Sequence, residues 1–140
     1  MDVESGELTV FTRSSGVTLP QAVAASCGAP AVWPPILIHG RRYMDGGVHS
    51  LANLHLAAGL AQAVALAPIP RGMGPSPTVQ SQADALVGAG TRVAVVQPDA
   101  HARRVIGRNN LDPARRAAAA RSGRAQAAAE LAALRAVWLD

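Results

Sequence analysis

The stretch that decides the fold runs from Thr18 to Val48. It reads Thr18-Leu-Pro20-Gln-Ala22-Val-Ala-Ala-Ser26-Cys27-Gly28-Ala-Pro30, then Pro34-Pro35-Ile36-Leu-Ile-His39, then Gly40-Arg41-Arg42-Tyr43-Met44-Asp45-Gly46-Gly47-Val48. Thr18 has the side chain of an N-cap, and Pro20 falls in the first helical turn, where its missing N–H costs little. A helix is therefore expected from Thr18 to about Cys27, stopped by Gly28 with Pro30 just beyond. Pro34-Pro35 opens a strand over Ile36–His39, Gly40-Arg41 turns the chain, and Arg42–Met44 returns to a second sharp turn at Asp45-Gly46.

Outward from this block, Leu8–Phe11 reads as a short β-type run closed by a turn at 13–16. Residues 51–69 carry no charge, but Asn53, His55 and Gln62 lie inside the run, Gly59 breaks it, and it barely reaches the ~20 residues of a membrane span. The better division is a helix over about Ser50–Gly59 and a buried strand over Ala63–Ala67. Pro68–Pro77 is a Pro/Gly-rich loop, followed by a helix over Val79–Val87, a cap at Gly88-Ala-Gly90 and a strand over Val93–Val96. Asp112-Pro113 opens an Arg/Ala-rich helix over 112–140 in which Leu131, Leu134 and Trp138 form a narrow stripe that must pack on something. Short apolar strands alternating with helices predict an α/β layered fold.

The 140 residues carry 13 cationic side chains, all Arg, and 9 acids; the entire basic excess lies from Ala100 onward. That patch reads as a solvated helix face, or as a surface for phosphates or an anionic membrane. With four aromatics, none interleaved with Arg, nucleic acid is not an expected partner. Cys27 alone excludes an internal disulfide and a Cys-rich zinc site, and the N-terminus lacks the apolar core of a secretion signal. A cytoplasmic location, peripheral to a membrane at most, is expected.

Four groups of residues are candidates for chemistry. Gly88-x-Gly90 follows a helix and precedes a strand, the reverse of a dinucleotide fingerprint, and reads as a C-cap. His39, His49 and His55 have no metal-ligand spacing, so no metal is expected. Ser26 ends a helix, whereas a G-x-S-x-G nucleophile begins one, and that pentapeptide is absent from the chain. Asp45-Gly46-Gly47, taken alone, is a common turn.

In context, however, the Ala-Ser-x-x-x-Pro helix end, the Pro34-Pro35-Ile36 strand and the Gly40-x-x-Tyr43-x-Asp45-Gly46-Gly47 hairpin together resemble the distal half of patatin-like phospholipases. The likeness is looser beyond, through Val64, Val93–Asp99 and Gly123-x-x-Gln126. The resemblance implies a partial three-layer α/β/α fold, and lipid degradation by a Ser–Asp dyad without cofactor. Asp45 would be the proton acceptor, and Gly46 and Gly47 would turn the chain at positive φ and let backbone approach the site. The substrate would be a lipid or small acyl ester.

The family's oxyanion loop and nucleophile elbow precede its Asp, and neither motif occurs here. The chain is therefore expected to be the C-terminal, Asp-bearing portion of one domain, 1–140. Alone it would lack esterase activity, expose open sheet edges and need a complementary N-terminal segment. The alternatives are a truncated homologue acting as a binding or regulatory module, and an Arg-rich binder of phosphate or membrane.

Overall fold

A computed structural model describes residues 1–69 and 76–139. The Pro/Gly-rich loop expected at 68–77 thus falls largely outside the described residues. The chain is mixed α/β and divides into two compact units, one holding residues 1–53 and 76–77 and the other residues 54–69 and 78–139.

The first unit begins with a turn over residues 3–5, closed by the Gly6 N–H on the Asp2 carbonyl, then a 3-10 turn at Arg13–Ser15, and continues into helix α1, Leu19–Ser26. Thr18 and Gln21 form a reciprocal capping box at the start of α1, and Cys27 closes it, as the sequence predicts. Strands β1 (Ile36–Ile38) and β2 (Arg41–Tyr43) pair antiparallel with Ile38 opposite Arg41. The two-residue turn is thus His39-Gly40, not Gly40-Arg41. Both residues sit at positive φ (50° and 79°), the twist that matches a right-handed hairpin. Leu8–Phe11 forms no strand; Asp2 instead bridges to Tyr43 on the free side of β2. Ala25, Ile38 and Tyr43 form the core, with Phe11, Val17 and Ile36 packed around them. Phe11 meets the Tyr43 ring edge-on at 5.1 Å between centroids.

The second unit contains β3 (Gln62–Leu66), α2 (Val79–Gly88), β4 (Arg92–Val96), α3 (Ala100–Ile106) and α4 (Arg116–Trp138). β3 and β4 pair in parallel, Val64 opposite Ala94, with α2 as the crossover. Thr78 caps α2 by accepting the Ser81 N–H, and Gly90 leaves the helix at φ 92°, the expected cap. Sequence reading missed α3, whose N-cap Asp99 accepts the Ala102 N–H at 2.7 Å. Asp112 caps a 3-10 turn at Pro113–Arg115 that runs into α4. α4 packs on both strands and on α3. Gln126 ties it down, donating to the Gln97 carbonyl at 2.7 Å and accepting the Asp99 N–H at 3.1 Å. Among the described residues no helix is long and apolar enough to cross a membrane.

The expected helix over Ser50–Gly59 is replaced by a 3-10 turn at Leu54–Ala57. Asn53 is the cause. It stands at φ 46° and donates its side-chain amide to the Ser50 and Gly46 carbonyls, offering the backbone a competitor to helical bonding.

Candidate functional site

β2 ends at Tyr43, and two residues later the chain turns at Asp45. The Met1–Val3 segment runs along this exit: the Val3 N–H donates to the Arg42 carbonyl, and the Met44 N–H donates to the Met1 carbonyl. On the other side, the Asp45 N–H donates to the Gly28 carbonyl at 3.1 Å, just past the end of α1. Gly28 is buried, and a Cβ there would lie 3.2 Å from the Ala24 carbonyl oxygen, a tight approach to the end of α1. Asp45 is thus positioned by a strand, a helix end and the turn that follows it.

That turn is a 3-10 turn over Gly46–Val48 with Asp45 as its N-cap. Asp45 Oδ1 accepts the Gly47 N–H at 2.7 Å. Its second carboxylate oxygen makes no hydrogen bond to the described residues, and the side chain is half-buried. One oxygen is therefore anchored on the turn and the other has no hydrogen bond to the described residues; a carboxylate held in this way can accept a proton from a hydroxyl brought within reach.

The two glycines act differently from the expectation. Neither has positive φ; both lie within the 3-10 turn. Gly47 matters because a Cβ would sit 2.9 Å from Asp45 Oδ1, whereas at Gly46 the nearest atom to such a carbon, Asn53 Nδ2, is 3.7 Å away.

Behind the turn, Asn53 acts as a brace. Its amide donates to the Gly46 carbonyl at 3.1 Å and the Ser50 carbonyl at 2.7 Å, and its oxygen lies 3.0 Å from His49 Nδ1. Ser50 is buried, and its hydroxyl accepts the Asn53 N–H. Sequence reading takes Asn53 only as a polar residue against a membrane span and Ser50 only as a helix start; the Ser-x-x-Asn spacing, which favours local side-chain-to-backbone bonds, is the signal for the brace.

Flanking β2, Asp2 is buried, accepting the N–H groups of Glu4 and Ser5 at 3.0 Å each and pairing with Arg41 at 2.8 Å. The Ser5 N–H above all, with the Glu4 N–H and the Arg41 guanidinium, holds its carboxyl below the ordinary aspartate range. Of the remaining candidates, Ser26 is exposed at the last residue of α1, His39 is in the hairpin turn and His55 is in the Leu54–Ala57 turn. Among the described residues no three His, Cys, Asp or Glu side chains are grouped to hold a metal ion.

The profile of one family, patatin-like phospholipase, matches residues 2–58. The matched segment contains α1, the hairpin, and Asp45 with its two glycines. It ends before β3, so the looser likeness read through residue 126 lies outside it. No curated protein and no solved structure matches the chain.

Proposed function

We propose that this chain carries the aspartate half of a patatin-type acyl-ester hydrolase acting on lipid, with Asp45 as the proton acceptor for a serine. The observation that carries this reading is the Asp45 carboxylate itself, with one oxygen fixed on the Gly47 N–H and the other open, inside the segment that matches the family. A proton acceptor on a serine contributes ~10²–10⁴ in rate only when held within hydrogen-bond reach. The three-sided anchoring of Asp45 supplies that rigidity.

On this reading the serine comes from outside these 140 residues, in which G-x-S-x-G does not occur. On this reading the chain is the Asp-bearing, C-terminal portion of the family's domain. The surface of the first unit suits such an arrangement. Leu19 and Val23, one helical turn apart on α1, are 76% and 51% exposed, and Leu37 on β1 is 66% exposed. These apolar side chains, with the edge of β1 that is unpaired among the described residues, are what a preceding strand and nucleophile helix would cover.

The test is reconstitution. The chain joined to an N-terminal segment bearing G-x-S-x-G is expected to hydrolyse a p-nitrophenyl acyl ester, and Asp45→Asn to lower kcat by roughly 10²–10⁴. Full turnover with Asn at position 45 would refute the role assigned to Asp45.

A further inference from the structure

α4 carries a continuous exposed stripe with a composition unlike the rest of the helix. Arg124, Leu131, Arg135 and Trp138 follow at spacings of seven, four and three, which keeps them within a narrow arc at 100° per residue; Arg121 flanks it. All five are exposed, Leu131 to 47% and Trp138 to 58%. Among the described residues none of these three arginines makes an ion pair. The helix's one acid, Glu130, lies off the stripe, where it accepts from Gln126. Beyond Trp138, Leu139 is 71% exposed. Among the described residues, Val64, Leu131, Leu134, Trp138 and Leu139 line a shallow groove of about 410 Å³ together with one charged residue, Arg135.

An isolated apolar stripe would say nothing about its partner. Here the charge does: every ionisable group on the stripe is a guanidinium, and each lies within a turn or two of a side chain suited to the boundary between water and hydrocarbon. Trp inserts its indole at headgroup depth, Leu enters the acyl region, and Arg meets lipid phosphate while its stem stays apolar. We propose that this face of α4 is a docking surface for an anionic lipid bilayer, with Trp138, Leu131 and Leu139 entering the interface and Arg124 and Arg135 on the phosphates. The proposal rests on the second unit alone and stands whether or not Asp45 is catalytic.

The experiment uses the full chain with Trp33→Phe, so that Trp138 is the one emitting tryptophan, and vesicles of phosphatidylcholine with or without 30% phosphatidylglycerol. Co-sedimentation with the anionic vesicles is expected, with a blue shift of Trp138 and weakening at high salt. Arg124→Gln with Arg135→Gln should lower partitioning roughly 30-fold, taking each arginine near an anionic surface at its usual strength. The charge-matched control, Arg13→Gln with Arg92→Gln, should retain most of the binding and the full spectral shift. Absence of binding, equal binding to neutral vesicles, or an unshifted Trp138 would overturn the proposal. So would equal losses in the two double variants, which would mark general charge attraction. Binding to a duplex oligonucleotide with the same Trp138 shift would assign the face to nucleic acid instead.

Discussion

Asp45 Oδ1 and Gly47 are bound to each other so closely that a single added carbon on Gly47 would collide with the oxygen it holds: the hydrogen bond is 2.7 Å, and the site of a Cβ is 2.9 Å from the same atom. Gly47→Ala is therefore expected to turn the carboxylate off its N–H donor and cost about 1 kcal/mol, the usual worth of an N-cap bond. Gly46→Ala, with its nearest neighbour at 3.7 Å, is expected to stay within about 0.5 kcal/mol of the parent. Urea midpoints of the two variants check this, and equal losses would show that the glycines serve the turn and not the carboxylate.

The hairpin and its capping helix were legible because their signals are local: Thr18 with Gln21 and Pro20 state a helix start by themselves, and paired prolines before an apolar run state a strand. Asp45 was legible as a candidate through its motif. What escaped depends on bonds that residue types permit without dictating. His39 takes positive φ beside Gly40 because the Ile38–Arg41 register leaves two residues for the turn. Asn53 was read as one more polar residue in a helix, when its side chain in fact replaces helical bonding. Asp99 was passed over because Pro98 and a seven-residue helix give too little periodicity to see. Nothing local announced that Gly28 would supply a carbonyl to Asp45 across seventeen positions of sequence.

Asn53 combines a positive φ with three side-chain contacts, so its replacements separate two costs. Asn53→Ala loses the amide bonds to the Gly46 and Ser50 carbonyls and puts at φ 46° a residue that tolerates the left-handed region less well than asparagine, an expected destabilisation of about 2–3 kcal/mol. Asn53→Gly keeps the backbone conformation cheaply and should recover about 1 kcal/mol of that. If Gly is as destabilising as Ala at chemical denaturation, backbone strain plays no part.

Asp2 makes the first unit sensitive to acid, and the sign follows from its partners. N–H donors and Arg41 favour the carboxylate in the folded state, so the folded group titrates below its ordinary value of 3.8. Stability from this group is complete above that value and disappears as pH falls through the lower, folded one. Asp2→Asn is expected to be less stable than the parent at pH 6, with the gap in Tm closing as pH falls below 3.8 toward 2. A gap that is constant over that range would mean the carboxylate's charge is irrelevant to folding.

Ser122 is the buried residue of α4, 6% exposed, and its hydroxyl has no partner among the described residues. A buried hydroxyl without a hydrogen bond costs ~1–3 kcal/mol, and Ser is also a poorer helix former than Ala. Ser122→Ala removes both costs at the expense of a small void, and is expected to stabilise the second unit by about 1.5 kcal/mol. Its neighbour supplies the calibration. Gly123 is exposed with nothing within 4 Å of a would-be Cβ, so Gly123→Ala isolates helix propensity, worth ~1 kcal/mol. Propensity alone gives Ser122→Ala the smaller gain of the two, so a rise in Tm larger than that of Gly123→Ala can come only from the hydroxyl. A smaller rise, or a fall, would mean the hydroxyl is satisfied in solution.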